Sequence, residues 1–161
     1  MSSLPATADL YDTYGEKLRV VAPIFRNYGG VVDFAGPVVT LKVYEDNSLV
    51  RTVLEEPGEG RVLVVDGGGS LRCALVGDKL AELGHQNGWA GIVVYGCIRD
   101  SAPIATIAIG VKAIATNPRK SVKKGEGERD VTLRFAEVAI APGDYLYADI
   151  DGVVVADYKL H

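Results

Sequence analysis

The apolar positions of this chain fall into strand and helix rhythms that alternate through its first two thirds. Residues 36–44 alternate as a strand does, and residues 61–66 (RVLVVD) form a near-continuous apolar run. Such a run is the signature of a strand buried on both faces of a sheet. Residues 91–95 (GIVVY) and 111–116 (VKAIAT) read as further strands. Helical patterns cover residues 7–14, closed by Gly15, and 47–56, with Ser48 as a cap and Pro57-Gly58 as the stop. A third covers residues 78–86, opening after Gly77 and stopping at Asn87-Gly88, and residues 71–76 also read as helical. Residues 117–130 turn charged and glycine-bearing, as an exposed loop does. Residues 132–158 hold three or four short strands set off by turns at Pro142-Gly143-Asp144 and at 149–152. The pattern predicts one α/β domain over residues 1–161, mostly β in its C-terminal half and not a regular βαβ series.

Composition narrows the functional classes. With 161 residues, 48% of them hydrophobic, the chain can bury a core without disulfides or structural metals. A formal charge of -4 gives no bulk electrostatic drive toward nucleic acid. Cys73 and Cys97 form no CxxC motif and are expected to be reduced, buried thiols. The opening MSSLPAT lacks the basic and apolar regions of a signal peptide, and no apolar run approaches the ~18 residues that span a bilayer. The expectation is a soluble cytoplasmic protein with no membrane partner.

Two segments carry candidate chemistry. Gly77-Asp78-Lys79-Leu80 heads a helix, where free backbone N–H groups and the positive end of the dipole suit a carboxylate or phosphate. Arg99-Asp100 follows a buried strand, the edge at which α/β sheets place ligands. Arg99 offers a planar cationic fork for an anion, and Asp100 a hard oxygen ligand of the kind Mg²⁺ or Mn²⁺ takes. The same residues also suit a plain N-cap and a surface ion pair. Gly67-Gly68-Gly69 matches neither GxGxxG nor GxxxxGK[ST] and reads as a tight strand-to-helix connection. His85 stands outside any zinc motif, and Ser70 has no GxSxG setting. Lys79, Lys112 and Lys159 are conceivable Schiff-base nucleophiles that no context marks. The basic run from Arg119 to Lys124 is answered by Glu126, Glu128 and Asp130 and reads as a solvated loop.

Seven stretches together are more specific: VAPIF at 21–25, NYGG at 27–30, YEDN at 44–47, GRVLVVDGGGS at 60–70, ALVGDKLA at 74–81, GCIRD at 96–100 and GDYLYAD at 143–149. In these the chain resembles the family of the regulator of ribonuclease activity A and the metal-dependent 4-hydroxy-4-methyl-2-oxoglutarate aldolases, over nearly its whole length. The resemblance implies a compact β/β/α swivelling-type domain with mixed sheets, assembled as a ring-shaped homotrimer with pockets at subunit interfaces. In the aldolase members, the backbone matching Gly77, Asp78, Lys79 and Leu80 grips a pyruvate carboxylate. The arginine matching Arg99 binds substrate and the developing enolate, and the aspartate matching Asp100 holds a divalent metal, Mg²⁺ or Mn²⁺, largely through waters.

The implied activity is a carbon–carbon lyase acting on small 2-keto acids. It would cleave 4-hydroxy-4-methyl-2-oxoglutarate to pyruvate and decarboxylate oxaloacetate, both through a pyruvate enolate. The rival implied by the same resemblance is a non-catalytic trimeric regulator that binds and inhibits an endoribonuclease of the RNase E type. Two departures bear on substrate. Ser101-Ala102-Pro103 stands where some aldolases have glycine three residues past the aspartate, and nothing after His161 matches the longer C-terminal region that lends those members an acidic residue. An older label for such chains, quinone methyltransferase, finds no S-adenosylmethionine pattern here.

Overall fold

The computed structural model describes residues 4–161, so the first three residues of the MSSLPAT opening lie outside it. The elements in chain order are α1 (Thr7–Tyr14), β1 (Arg19–Val20), β2 (Arg26–Asn27), β3 (Phe34–Lys42), α2 (Ser48–Leu54), β4 (Val62–Asp66), β5 (Ala74–Val76) and α3 (Asp78–Gln86). They continue with β6 (Gly91–Ile98), α4 (Ser101–Ile104), β7 (Gly110–Thr116), β8 (Glu128–Arg129), β9 (Leu133–Phe135), β10 (Val138–Ile140), β11 (Tyr145–Asp149) and β12 (Gly152–Ala156). This is the α/β architecture that the apolar pattern predicts, with the mixed sheet that the family resemblance implies.

The sheet runs β1-β12-β11-β3-β4-β6-β7-β2. Its centre, β3-β4-β6-β7, is parallel, and its flanks are antiparallel. Every residue of β4 is buried, which explains its unbroken apolar run. Because successive side chains point to opposite faces, Leu63 and Val65 enter one core and Val62 and Val64 the other. Strand β6 divides the same way, with Ile92 and Val94 on one side and Val93 on the other. The first core is roofed by Val50, Val53 and Leu54 of α2, Leu80 and Ala81 of α3, and Ile104 of α4. The second is closed by the β9–β10 hairpin and by β11 and β12, with the Tyr95 and Phe135 rings stacked 4.8 Å apart. A third, smaller cluster lies where Leu10 of α1 meets Tyr147 and Val154.

The expected helix at 71–76 is instead a bend followed by β5, which pairs in parallel with β6 at Cys97 and Ile98. Three apolar residues in a row fit either period, and here the open edge of β6 decides. Strand β4 accompanies β6 only as far as Tyr95. The Gly67-Gly68-Gly69 turn then lets β5 take over as the neighbour of β6. Gly67 and Gly69 both donate their N–H to the Tyr95 carbonyl, at 3.0 and 3.2 Å. A Cβ on Gly67 would come within 2.9 Å of that carbonyl, so the close approach requires glycine. The glycine run therefore joins strand to strand, not strand to helix.

The Phe34 ring lies over Gly91 of β6 and its register partner Gly110 of β7, and a Cβ on either glycine would fall on the ring. Gly110→Ala is expected to destabilise the protein by about 1–3 kcal/mol through overpacking, read as a lowered urea midpoint. Adding Phe34→Leu should recover part of that loss. An unchanged midpoint for Gly110→Ala would contradict the packing described.

Candidate active site

The C-terminal ends of β3, β5, β6 and β7 open into one cleft of about 560 Å³. Both segments singled out in the sequence line it. Strand β5 ends at Val76, whose carbonyl accepts the Arg99 N–H at 2.9 Å, so the two segments are bonded to each other directly. Gly77 then opens α3 in an extended conformation. Its lack of a side chain matters for space rather than for φ: a Cβ there would lie 2.7 Å from Asp100 Oδ2. That carboxylate oxygen accepts the Asp78 N–H at 3.1 Å. Ala81 is the first residue of α3 to bond back, to the Gly77 carbonyl. Among the described residues the N–H groups of Lys79 and Leu80 are therefore left without an acceptor, as the start of a helix leaves them.

Asp100 has φ 60° and ψ 40°, a left-handed conformation that Asp and Asn tolerate better than most residues. The turn it makes starts α4, with the Ile104 N–H bonding back to the Asp100 carbonyl. The Arg99 guanidinium donates through Nη1 to the Pro118 carbonyl at 3.4 Å, and the rest of its fork is uncommitted among the described residues. Arg51, Lys79, Arg99, Lys120 and Lys123 line the cleft against the two carboxylates of Asp78 and Asp100. A protein of formal charge -4 thus gathers an excess of cations in one concavity, which favours an anionic ligand.

The wall opposite α3 is the loop after β7, and the residue that holds it was not singled out in the sequence. Asp46 is 2% exposed. Its Oδ1 accepts the Ser48 N–H (2.9 Å) and hydroxyl (2.6 Å), and its Oδ2 accepts the N–H groups of Lys124 (2.9 Å) and Glu126 (3.0 Å). Burial alone would raise the Asp46 pKa, but the hydrogen bonds from Ser48, Glu126 and Lys124 outweigh it and bring it down to about 2. Asp46, not Ser48, thus supplies the cap of α2. Next to it, the Ser121 hydroxyl donates to Asn47 Oδ1 at 2.8 Å, and Asn47 Nδ2 donates to the Leu75 carbonyl of β5 at 3.1 Å. The YEDN stretch carried the signal, but its partners lie far along the chain.

The remaining candidates sit elsewhere. His85 Nδ1 contacts the Ala108 carbonyl (3.1 Å), and the Ser70 hydroxyl donates to Glu45 (2.6 Å). Lys112 is buried with its Nζ on the Asp149 carbonyl (2.8 Å), burial pushing its pKa down, and Lys159 is exposed. Cys73 and Cys97 are free and buried, as expected, and burial pushes both thiols up. No helix among the described residues is long and apolar enough to cross a membrane.

Among the described residues no group of three or more His, Cys, Asp or Glu side chains is arranged to hold a metal ion. The hard-oxygen donors in the cleft are the Asp78 and Asp100 carboxylates. Asp100 is exposed, with only one oxygen engaged and with clearance left by Gly77. This donor set fits a Mg²⁺-type ion, which takes one or two carboxylates and keeps most of its waters. It does not fit zinc, which asks for His and Cys.

A family model described as RraA-like, Aldolase/RraA, matches residues 7–155. A protein of Alkalilimnicola ehrlichii named "Putative 4-hydroxy-4-methyl-2-oxoglutarate aldolase" is 66% identical over 158 residues, covering 98% of each chain. The crystal structure of a Geobacillus kaustophilus protein titled S-adenosylmethionine: 2-dimethylmenaquinone methyltransferase superposes with a TM-score of 0.95 at 52% identity, covering 97% of each chain. The RNA-processing inhibitor RraA from Thermus thermophilis superposes equally well, TM-score 0.95, at 47% identity, covering 98% of this chain and 96% of its own.

The Asp46 pKa lies below the unfolded aspartate value of about 3.9. Its contribution to stability is therefore fully present above about pH 4 and is lost as pH falls through about 2. Asp46→Asn is expected to cost about 2 kcal/mol at pH 7, with the gap to wild type narrowing as pH drops from 4 toward 2. Urea midpoints across that range check it, and a gap independent of pH would show that the carboxylate charge is not what matters.

Proposed function

Because the chain belongs to the RraA-like, Aldolase/RraA family, we propose that it is a divalent-metal-dependent carbon–carbon lyase acting on small 2-keto acids. Its reactions are cleavage of 4-hydroxy-4-methyl-2-oxoglutarate to two pyruvates and decarboxylation of oxaloacetate to pyruvate. The observation that carries this reading is the convergence of α3's first turn with Arg99 and Asp100, joined by the Asp78 N–H to Asp100 Oδ2 hydrogen bond.

The free N–H groups of Lys79 and Leu80, at the positive end of α3, bind the substrate's C1 carboxylate. Arg99 pairs with the keto oxygen, and this pairing strengthens as that oxygen gains charge. In the aldol substrate the C4 hydroxyl gives its proton to solvent water, C4 becomes the keto carbon of one pyruvate as the C3–C4 bond breaks, and the bonding electrons pass into the C2–C3 enolate of the other. In oxaloacetate the same electrons come from the bond to the departing CO₂. Protonation at C3 then gives pyruvate in both cases. Asp100 is the residue that would hold the divalent cation, largely through waters, and the cation when bound supplies Lewis-acid stabilisation of the enolate charge. Stabilisation strongest at the transition state is what lowers the barrier. Lys79 reaches the cleft as a cation and is not required as a nucleophile.

The reading is tested by following pyruvate release from oxaloacetate with added Mg²⁺ or Mn²⁺. Chelation should abolish it. Arg99→Ala and Asp100→Ala should each lower kcat/KM by about 100-fold or more, and turnover that survives both substitutions unchanged would sink the proposal. A second reading is favoured by the whole-length likeness to the Thermus inhibitor: a homotrimeric regulator docking on an endoribonuclease. It predicts micromolar or tighter capture of an RNase E-type enzyme in a purified pull-down, and a clean negative would count against it.

A further inference from the structure

The first turn of α3 and Arg99 account for one carboxylate and one keto oxygen, yet the cleft extends beyond them to a second set of cations. Arg51 projects from α2, and Lys120 and Lys123 from the loop after β7, all three lining the same cavity. A monocarboxylic ligand held at α3 leaves these charges unanswered. We propose that Arg51, Lys120 and Lys123 form the subsite for the second carboxylate of a dicarboxylic 2-keto acid, and that buried Asp46 is the positioning residue that sets this subsite's geometry. The inference rests on the lyase reading for the reaction but not for the recognition.

All three side chains are exposed, and exposed charges on long stems contribute little unless their backbones are already in place. Asp46 supplies that order to both sources at once. Through Oδ1 it holds the first residue of α2, the helix that carries Arg51. Through Oδ2 it holds Lys124 and Glu126, immediately after Lys123, while Ser48 Oγ accepts the Gly125 N–H at 3.2 Å. Ser121, between Lys120 and Val122, is fastened to Asn47, and the Val122 N–H donates to the Glu45 carbonyl at 3.3 Å. Asn47 also holds Leu75 in the strand that leads to Gly77. One buried carboxylate and its neighbour thus fix the distance between the two anion-binding ends of the cleft. Loss of Asp46 should relax the distal end selectively, because Gly77, Arg99 and Asp100 are held by β5 and β6.

The test measures dissociation constants by calorimetry for 2-oxoglutarate, a dicarboxylic keto acid, and for pyruvate, its monocarboxylic counterpart, with Mg²⁺ present. Wild-type protein should prefer 2-oxoglutarate by about tenfold, the worth of two or three partly exposed ion pairs. The Lys120→Ala/Lys123→Ala double variant should lose that preference while pyruvate affinity holds. The Lys120→Arg/Lys123→Arg variant should keep it. Asp46→Asn, or Ser121→Ala if the former does not fold, should raise the KM for oxaloacetate with kcat changed less than twofold. Equal wild-type affinity for the two probes, or parallel loss of both in the double lysine variant, would overturn the subsite. Absence of turnover with the binding preference intact would overturn the lyase reading instead.

Discussion

Strands β4 and β6 lie side by side in parallel with protein on both faces, and the rest of the molecule is arranged around meeting that condition. Each side of the pair needs its own cover. The connections between parallel strands supply α2, α3 and α4 on one side, while the C-terminal strands fold back over the other. The same arrangement gathers the C-terminal ends of β3, β5, β6 and β7 at a single edge, where loops are free to carry chemistry. The glycine turn at 67–69 is what completes that edge. By letting β5 replace β4 along β6, it sets Gly77 against Arg99, so the cleft follows from a change of strand partner.

Charge in the cleft is divided between groups with different duties. The cations face solvent and are individually weak, which suits a ligand that must enter and leave. Asp46, 2% exposed, commits its carboxylate to three backbone N–H groups and the Ser48 hydroxyl. Hydrogen bonds to a buried charge are worth more than those to exposed ones, and leaving their donors unpaired is costly. Rigidity is thus placed beneath the site and adaptability at its surface.

The long periodic elements were legible from local pattern alone. The helices at 7–14 and 78–86 appear within those bounds, and the apolar run at 61–66 is the buried strand it resembles. Gly77 to Leu80, Arg99 and Asp100, the residues of the proposed site, stood out in the sequence because a helix start and a strand end announce themselves locally, and they line one cleft. What escaped was decided at a distance. Residues 74–76 are a strand because an edge of β6 was open to them. The loop at 117–130 reads as exposed because most of its side chains are, while Lys124 and Glu126 are strapped to Asp46 through their backbones and the buried Ser121 hydroxyl bonds Asn47, more than seventy residues earlier in the chain. No window of sequence short enough to show a pattern contains both partners.

The left-handed backbone of Asp100 has a bearing on how such a fold diverges. At that dihedral pair glycine, asparagine and aspartate are the comfortable occupants, so the backbone discriminates against bulk and branching but is indifferent to a carboxylate. Exchange among those three suits the turn into α4, and only glycine removes the side-chain oxygen that accepts the Asp78 N–H. On the proposed lyase reading, a single-codon change at this position would remove the metal-holding carboxylate while leaving the local fold in place. The backbone at this position and the group it presents are then separable properties, one physical route by which relatives carrying aldolase and inhibitor names can share a fold.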